Sequence, residues 1–198
     1  MASGVDVADD SRMSDNTVST QPHAVRDLAV GVVAGLAGGL AMNLFARATS
    51  DRRGHGAQPP QEDSPARGKD AAERAGDAAY RLVRGGEPAP ETSQRLGTAA
   101  HYAFSASAGA AYGLLAPRVP ALTACFGTLF GTLVWAGADE GVVPLLGLSR
   151  GPRQIPARVH LFALTAHLVY GAAVETVRRV VSTNDQNAGN QITSLISV

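Results

Sequence analysis

Cysteine and lysine are nearly missing from this chain. Cys125 is the single cysteine, which excludes an intramolecular disulfide and a Cys-based zinc site. It lies in an apolar run and reads as a small buried hydrophobe. Lys69 is the single lysine beside sixteen arginines, a bias of composition that names no function. Charge of one sign is missing too: 17 basic and 17 acidic residues give a formal net charge of +0. A nucleic-acid binder shows a basic face, so this balance speaks against that partner. The motifs GxGxxG and GxxxxGK[ST] are absent, as is a nucleophile-base pair. No catalytic residue and no cofactor is predicted, and the chain reads as non-enzymatic.

What is present is segregation. The mean hydropathy of +0.01 averages four apolar blocks with polar chain between them. The blocks are "LAVGVVAGLAGGLAMNLFA" (Leu28 to Ala46), "LGTAAHYAFSASAGAAYGLLAP" (Leu96 to Pro117), "VPALTACFGTLFGTLVWAGA" (Val119 to Ala138) and "VHLFALTAHLVYGAAV" (Val159 to Val174). A spanning helix needs about 20 apolar residues. Three blocks qualify, and the fourth needs Glu175 and Thr176 to reach that length. Ala and Leu dominate without strict alternation, which favours helix over strand. A buried helix of a soluble protein would still show a polar stripe; the first and third blocks show none. The predicted fold is therefore an all-α membrane protein, a four-helix transmembrane bundle with the lipid bilayer as its partner. Ala46-Arg47-Ala48 mimics a signal-peptide cleavage site, but a long acid-rich region precedes the first block and three blocks follow it, so an uncleaved helix is predicted.

Small residues recur every four positions: Gly31, Gly35 and Gly39 in the first block, Ser105, Gly109 and Gly113 in the second, Gly127 and Gly131 in the third. Lipid removes the hydrophobic drive between helices, so close backbone approach along small-residue stripes must supply it. These glycines, with Gly171, are predicted helix-packing positions within the bundle or between copies in a homo-oligomer.

Residues 1–25 and 183–198 read as disordered tails, leaving 26–182 as the transmembrane domain. Between the first two blocks, 64–85 reads as one extra amphipathic surface helix. Ser64 would cap it, Pro65 fits its first position, and Gly85-Gly86 ends it. Asp70 with Arg74 and Asp77 with Arg81 are spaced as i,i+4 pairs. Val142 to Leu148 is too short to span and would lie at the interface or fold back into the bundle. The two larger loops carry twelve of the basic residues and the opposite side five. The positive-inside rule then puts both loops in the cytoplasm and both termini outside.

Ionisable groups inside such helices are costly and point to function. His101, Glu140 and His160 fall at the same helix ends, with Asn43, Trp135 and Asp139. His167 lies about 10.5 Å deeper on the last helix, and Glu175 two turns beyond it. His101, Glu140, His160, His167 and Glu175 form the candidate intramembrane polar site. Three readings stay open: a metal site of His101, His160 and an acid; a proton-responsive site; or helix-end anchors with His167 as packing glue. The second and fourth blocks each begin with His and end in Tyr-Gly, as a parallel internal repeat would; chance similarity between small-residue helices explains this equally well.

Together "HYAFSASAGAAYGLLAP", "FGTLFGTLVWAGADEGVVPLLGL" and "AHLVYGAAVE" resemble the YagU-like family of small bacterial inner-membrane proteins. The resemblance covers roughly residues 28 to 180 and rests on His101, Tyr112, Gly113, Gly127, Trp135, Pro144, Gly147, His167, Tyr170 and Gly171. Asp139-Glu140 is more acidic than the family pattern. The resemblance implies a multi-pass bacterial inner-membrane protein without an established molecular activity. A role in acid or envelope stress through the histidines, a small transporter or channel subunit, and a metal-dependent membrane enzyme are the functional classes carried forward.

Overall fold

The computed structural model describes residues 21–52, 69–149 and 152–196. They are helical throughout, with no strand among them: α1 (Gln21–Arg52), α2 (Ala71–Arg84), α3 (Pro90–Leu115), α4 (Thr128–Gly137), the single turn α5 (Val143–Leu145) and α6 (Ala157–Ile196). Two stretches, His23–Thr49 of α1 and Ala157–Asn184 of α6, are long and apolar enough to cross a membrane.

The α1–α3 pair is made by glycine. Residues 31, 35 and 39 of α1 face 109, 105 and 101 of α3, so the two helices run antiparallel. A Cβ at Gly35 would sit 2.9 Å from Gly109 Cα, and one at Gly113 would sit 2.9 Å from Gly31 Cα. Backbones therefore touch where side chains would normally hold helices 8–10 Å apart. The α4–α6 pair repeats the device: a Cβ at Gly127 would meet Glu175 Cβ at 2.7 Å, and one at Gly171 would meet Gly131 Cα at 3.0 Å. The two pairs join through α1 and α6. Gly38 admits the Tyr170 ring and Val174, and Phe45 stacks on Phe162 with centroids 5.9 Å apart. The glycine stripes read from the sequence are thus covered by helices of the same chain.

The third apolar block departs from its predicted spanning helix. Pro120–Thr123 is a 3-10 turn, and Cys125, Phe126 and Gly127 follow with φ of 49°, 58° and 79°. Left-handed backbone costs a non-glycine residue about 1–2 kcal/mol. Here the reversal lets Gly127 reach Gly171, and the Arg179 guanidinium covers the Phe126 ring at 4.6 Å. Only ten residues are left for α4, about 15 Å of helix against about 30 Å of hydrocarbon. Cys125, expected to be buried, is exposed on this reversal. At its other end α4 passes into a π-helical turn, Ala138–Val142. Pro144 follows, whose ring would clash with the carbonyl of residue 140 in a regular helix.

The surface helix begins later than predicted. Asp70, not Ser64, is the cap of α2, accepting from the Glu73 amide at 2.8 Å; Ser64 and Pro65 lie outside the described residues. Gly85 ends the helix with φ 73°, its amide donating to Arg81 O at 2.9 Å. The expected i,i+4 pairs give way to longer ones. Asp77 pairs with Lys69, and Arg81 donates to Glu87 at 3.0 and 3.1 Å. Tertiary packing decides this, because Asp77 is buried against α3 while Arg81 points away. At the chain's end, α6 continues as helix to Ile196 through residues expected to form a tail. No proline follows Pro156, and lengthening a formed helix adds one hydrogen bond per residue fixed. Of the expected N-terminal tail, residues 1–20 lie outside the described residues.

Gly35→Leu is expected to force α1 from α3 and cost about 1–3 kcal/mol, the usual range for overpacking. Leu36→Ala, on the exposed neighbouring face, is expected to change stability by about 0.5 kcal/mol or less. Thermal unfolding followed by helical circular dichroism in detergent measures both.

Candidate functional site

The close helix pairs set the register of every polar group between them. At one end the π turn presents two acids in succession to α6. His160 Nδ1 donates to Glu140 Oε1, and the Trp135 ring stands edge-on to the His160 ring at 6.5 Å. His167 Nδ1 lies 3.8 Å from Asp139 Oδ2 and 2.9 Å from Ala163 O. A carbonyl only accepts, so His167 carries its proton on Nδ1 and leaves Nε2 as an acceptor. On α3, His101 Nε2 donates to Gly39 O at 3.4 Å, and by the same reasoning Nδ1 is the free acceptor. Asn43 donates to the Tyr102 hydroxyl at 3.2 Å.

His101, Asp139 and His167 open onto one cavity of about 500 Å³. Met42, Phe104, Val134 and Val143 supply apolar wall, and Ser105 and Tyr170 form part of its lining. The Tyr170 hydroxyl is spent on Ser105 O at 2.8 Å. The N-terminal turns of α2 (Asp70, Ala71, Ala72 and Ala75), with Leu146 and Leu148, line the rest. The short apolar stretch Val142 to Leu148 borders the cavity without entering the bundle: Leu145 is 86% and Leu146 65% exposed. Arg74 holds this segment by donating to Leu148 O and Lys69 O.

Glu175 stands apart. It is fully buried and accepts from the Tyr112 hydroxyl at 2.5 Å, Arg178 Nε at 2.7 Å and Arg179 Nε at 2.6 Å. Between it and His167 lie the buried Tyr170 and Val174, with Phe130 packed against both Tyr112 (4.5 Å) and Tyr170 (6.2 Å). The five predicted residues therefore divide. His101, Glu140, His160 and His167 gather at one end with Asp139, and Glu175 belongs to a closed ion-pair cluster at the other. A continuous polar path along α6, required by the transporter reading, is interrupted by this aromatic layer. Among the described residues, no group of three or more His, Cys, Asp or Glu side chains is placed to hold a metal ion.

Sequence reasoning passed over two features. Arg178 and Arg179 stand three and four residues after Glu175, a spacing legible as a helical ion pair. The Lys69–Asp77 contact, between α2 and the residue before its cap, spans eight residues and has no local signature. Asp77 is buried, which pushes its carboxyl up. The Lys69 and Ser93 side chains, with the positive charges of Lys69 and Arg81, outweigh that and hold it below the ordinary carboxylate value.

Residues 89–176 match the model of a family described as a protein of unknown function, DUF1440. The match runs from the start of α3 past Glu175; it includes His101, Asp139, Glu140, His160 and His167 and stops short of Arg178 and Arg179. No curated protein and no solved structure matches the chain.

A lowered folded-state value means that Asp77 stabilises α2 docking above the ordinary aspartate range. That contribution is lost as pH falls below about 4 and through the folded value. Asp77→Ala is expected to cost about 1.5–3 kcal/mol of α2 docking near neutral pH. Amide hydrogen exchange of α2 should show the loss, and acidifying the parent chain should approach the same exchange rates.

Proposed function

We propose that the chain is a multi-pass protein of the bacterial inner membrane whose cytoplasmic end carries a proton-responsive site. Membrane residence is supported by the two helices of spanning length and apolarity and by an outward α1 face of Val33, Leu36, Leu40 and Leu44. The resemblance to the YagU-like family supports the bacterial inner membrane, and the arginine-rich loops support the orientation.

One observation carries the proton reading. The π turn hands adjacent acids to two histidines of α6, Glu140 to His160 and Asp139 to His167. π turns inside helices recur at functional sites, and a plain helix-end anchor needs no paired acid. Histidine is the side chain whose charge changes near neutral pH. Protonation of His160 would turn its hydrogen bond into an ion pair, and protonation of His167 would put a positive charge 3.8 Å from Asp139. His101 and Asp70 are the other titratable groups that face this end. Because the π turn leads into the segment that borders the cavity, a change in either pair moves the cavity wall.

Trp135 is the only tryptophan and borders His160, so its emission reports the site. In nanodiscs, Trp135 emission is expected to change with pH, and His160→Gln is expected to flatten that change. A pH-independent emission in the parent chain, or an unchanged titration in His160→Gln, would remove the reading.

A further inference from the structure

The cavity beneath α2 has a chemistry that its own pairs do not use up. Its polar lining is made almost wholly of acceptors. Asp139 reaches it with a carboxylate that accepts no hydrogen bond from the described residues; its nearest cation-forming neighbour is His167 Nδ1 at 3.8 Å. That nitrogen already donates to Ala163 O. His167 and His101 each keep one unprotonated ring nitrogen, since Ala163 O and Gly39 O take their protons. Asp70 adds a second carboxylate at the rim. The Ser105 hydroxyl is the one rotatable donor in the lining, and no Arg or Lys lines the cavity.

The Asp139 side chain is 37% exposed, so water answers its charge and no protein donor does. A ligand that brings both positive charge and several N–H groups replaces that water with charge-assisted hydrogen bonds. Around these acceptors the wall is hydrocarbon: Met42, Phe104, Val134, Val143 and Leu146. A cation without an apolar body would leave that wall wet, and an anion would face two carboxylates. The volume of about 500 Å³ lies within the usual range for small-molecule sites. Phe104 can also offer its ring face to a cation.

We infer that this cavity binds a small protonated amine carried on an apolar body, with Asp139 as the principal anchor and His101 and His167 as hydrogen-bond acceptors. The ammonium donates to the Asp139 carboxylate and to the two imidazole nitrogens, and the apolar body lies against Phe104, Met42 and Val143. The inference rests on reading this end of the bundle as a functional polar site. It does not depend on that site responding to protons.

The test is calorimetric titration of the full chain in nanodiscs of a zwitterionic lipid at one fixed pH, with empty discs subtracted. The probes are phenethylammonium, its neutral isostere 2-phenylethanol, and phenylacetate. Phenethylammonium is expected to bind about tenfold or more tightly than the alcohol, because charge-assisted bonds are about twice as strong as neutral ones. Phenylacetate is expected not to bind. Asp139→Asn is expected to bring the ammonium down to the affinity of the alcohol. Ala75→Leu, which narrows the cavity and keeps the carboxylate, is expected to weaken the ammonium about tenfold; it decides the matter should Asp139→Asn not fold. Equal binding of the three probes, no binding of the ammonium, or ammonium binding untouched by both substitutions would overturn the assignment. Working at one pH keeps the two readings separable. Binding by a chain whose Trp135 emission ignores pH would remove only the proton reading, and a proton response without amine binding only this one.

Discussion

Backbone-to-backbone contact between glycine-striped helices is the constraint on which the rest of this structure depends. Where α1 meets α3, and where α4 meets α6, no room exists for even one Cβ at Gly35, Gly109, Gly131 or Gly171. Such contacts tolerate almost no slip. A shift of one residue along either pair would bring a side chain where only hydrogen fits. The glycines therefore act as a ruler and fix, without polar chemistry of their own, which side chains share a level. Tyr112 meets Glu175 and Tyr170 meets Ser105 because the helices cannot settle elsewhere. Each tyrosine precedes a contact glycine and reaches across to the other helix pair, so the weak His…Tyr-Gly likeness between the two pairs has a geometric counterpart.

The same ruler explains the disposition of the acids. At one end Glu175 gains donors from three side chains and is sealed from solvent. Breaking such a group's partners costs several kcal/mol, because an uncompensated buried charge is left behind; its role is to tie α3 and α6 together beneath the Phe126–Gly127 reversal. At the other end Asp139 and Glu140 are placed by a π turn. Glu140 is answered by His160, whereas Asp139 is not answered by a hydrogen bond. Two carboxylates in one small bundle are thus answered differently, Glu175 by buried side-chain donors and Asp139, 37% exposed, by solvent.

Much of this was legible in the sequence, and what was not has identifiable causes. Periodic Gly31, Gly35 and Gly39 announced a packing stripe because spacing alone defines a helix face. The shared level of Glu140 and His160 followed from tracking depth along antiparallel helices, whereas His101 meets Gly39 O and shares its cavity with Asp139 and His167. The third block misled because apolar composition carries no information about φ. Nothing in "TACFG" reveals that Cys125 and Phe126 turn left-handed, since that geometry is imposed by Gly171 and Arg179 from fifty residues away. Asp77 misled for a related reason: its local partner Arg81 was at the right spacing, but burial against α3 selected Lys69. Glu175 was grouped with the histidines by face, yet a face says nothing about a ring such as Phe130 inserted from another helix.

The contrast between the two ends also bears on how the bundle is read as a whole. Asp139 is 37% exposed and takes no hydrogen bond from the described residues, so its charge is solvated through the cavity instead of being tied into the bundle's packing. The segment that borders it is itself held by a group outside the bundle proper, Arg74 donating to Leu148 O. α2 itself is locked to α3 by Gly76 and Gly97, where a Cβ would meet Leu96 Cβ at 2.7 Å and Glu73 Cα at 3.0 Å. Stability is thus graded from glycine-locked helix pairs to the short segment Val142 to Leu148, whose Leu145 and Leu146 are exposed. A site at that boundary keeps its acceptors fixed by the helix pairs while the short segment can yield, which is the arrangement that ligand entry requires.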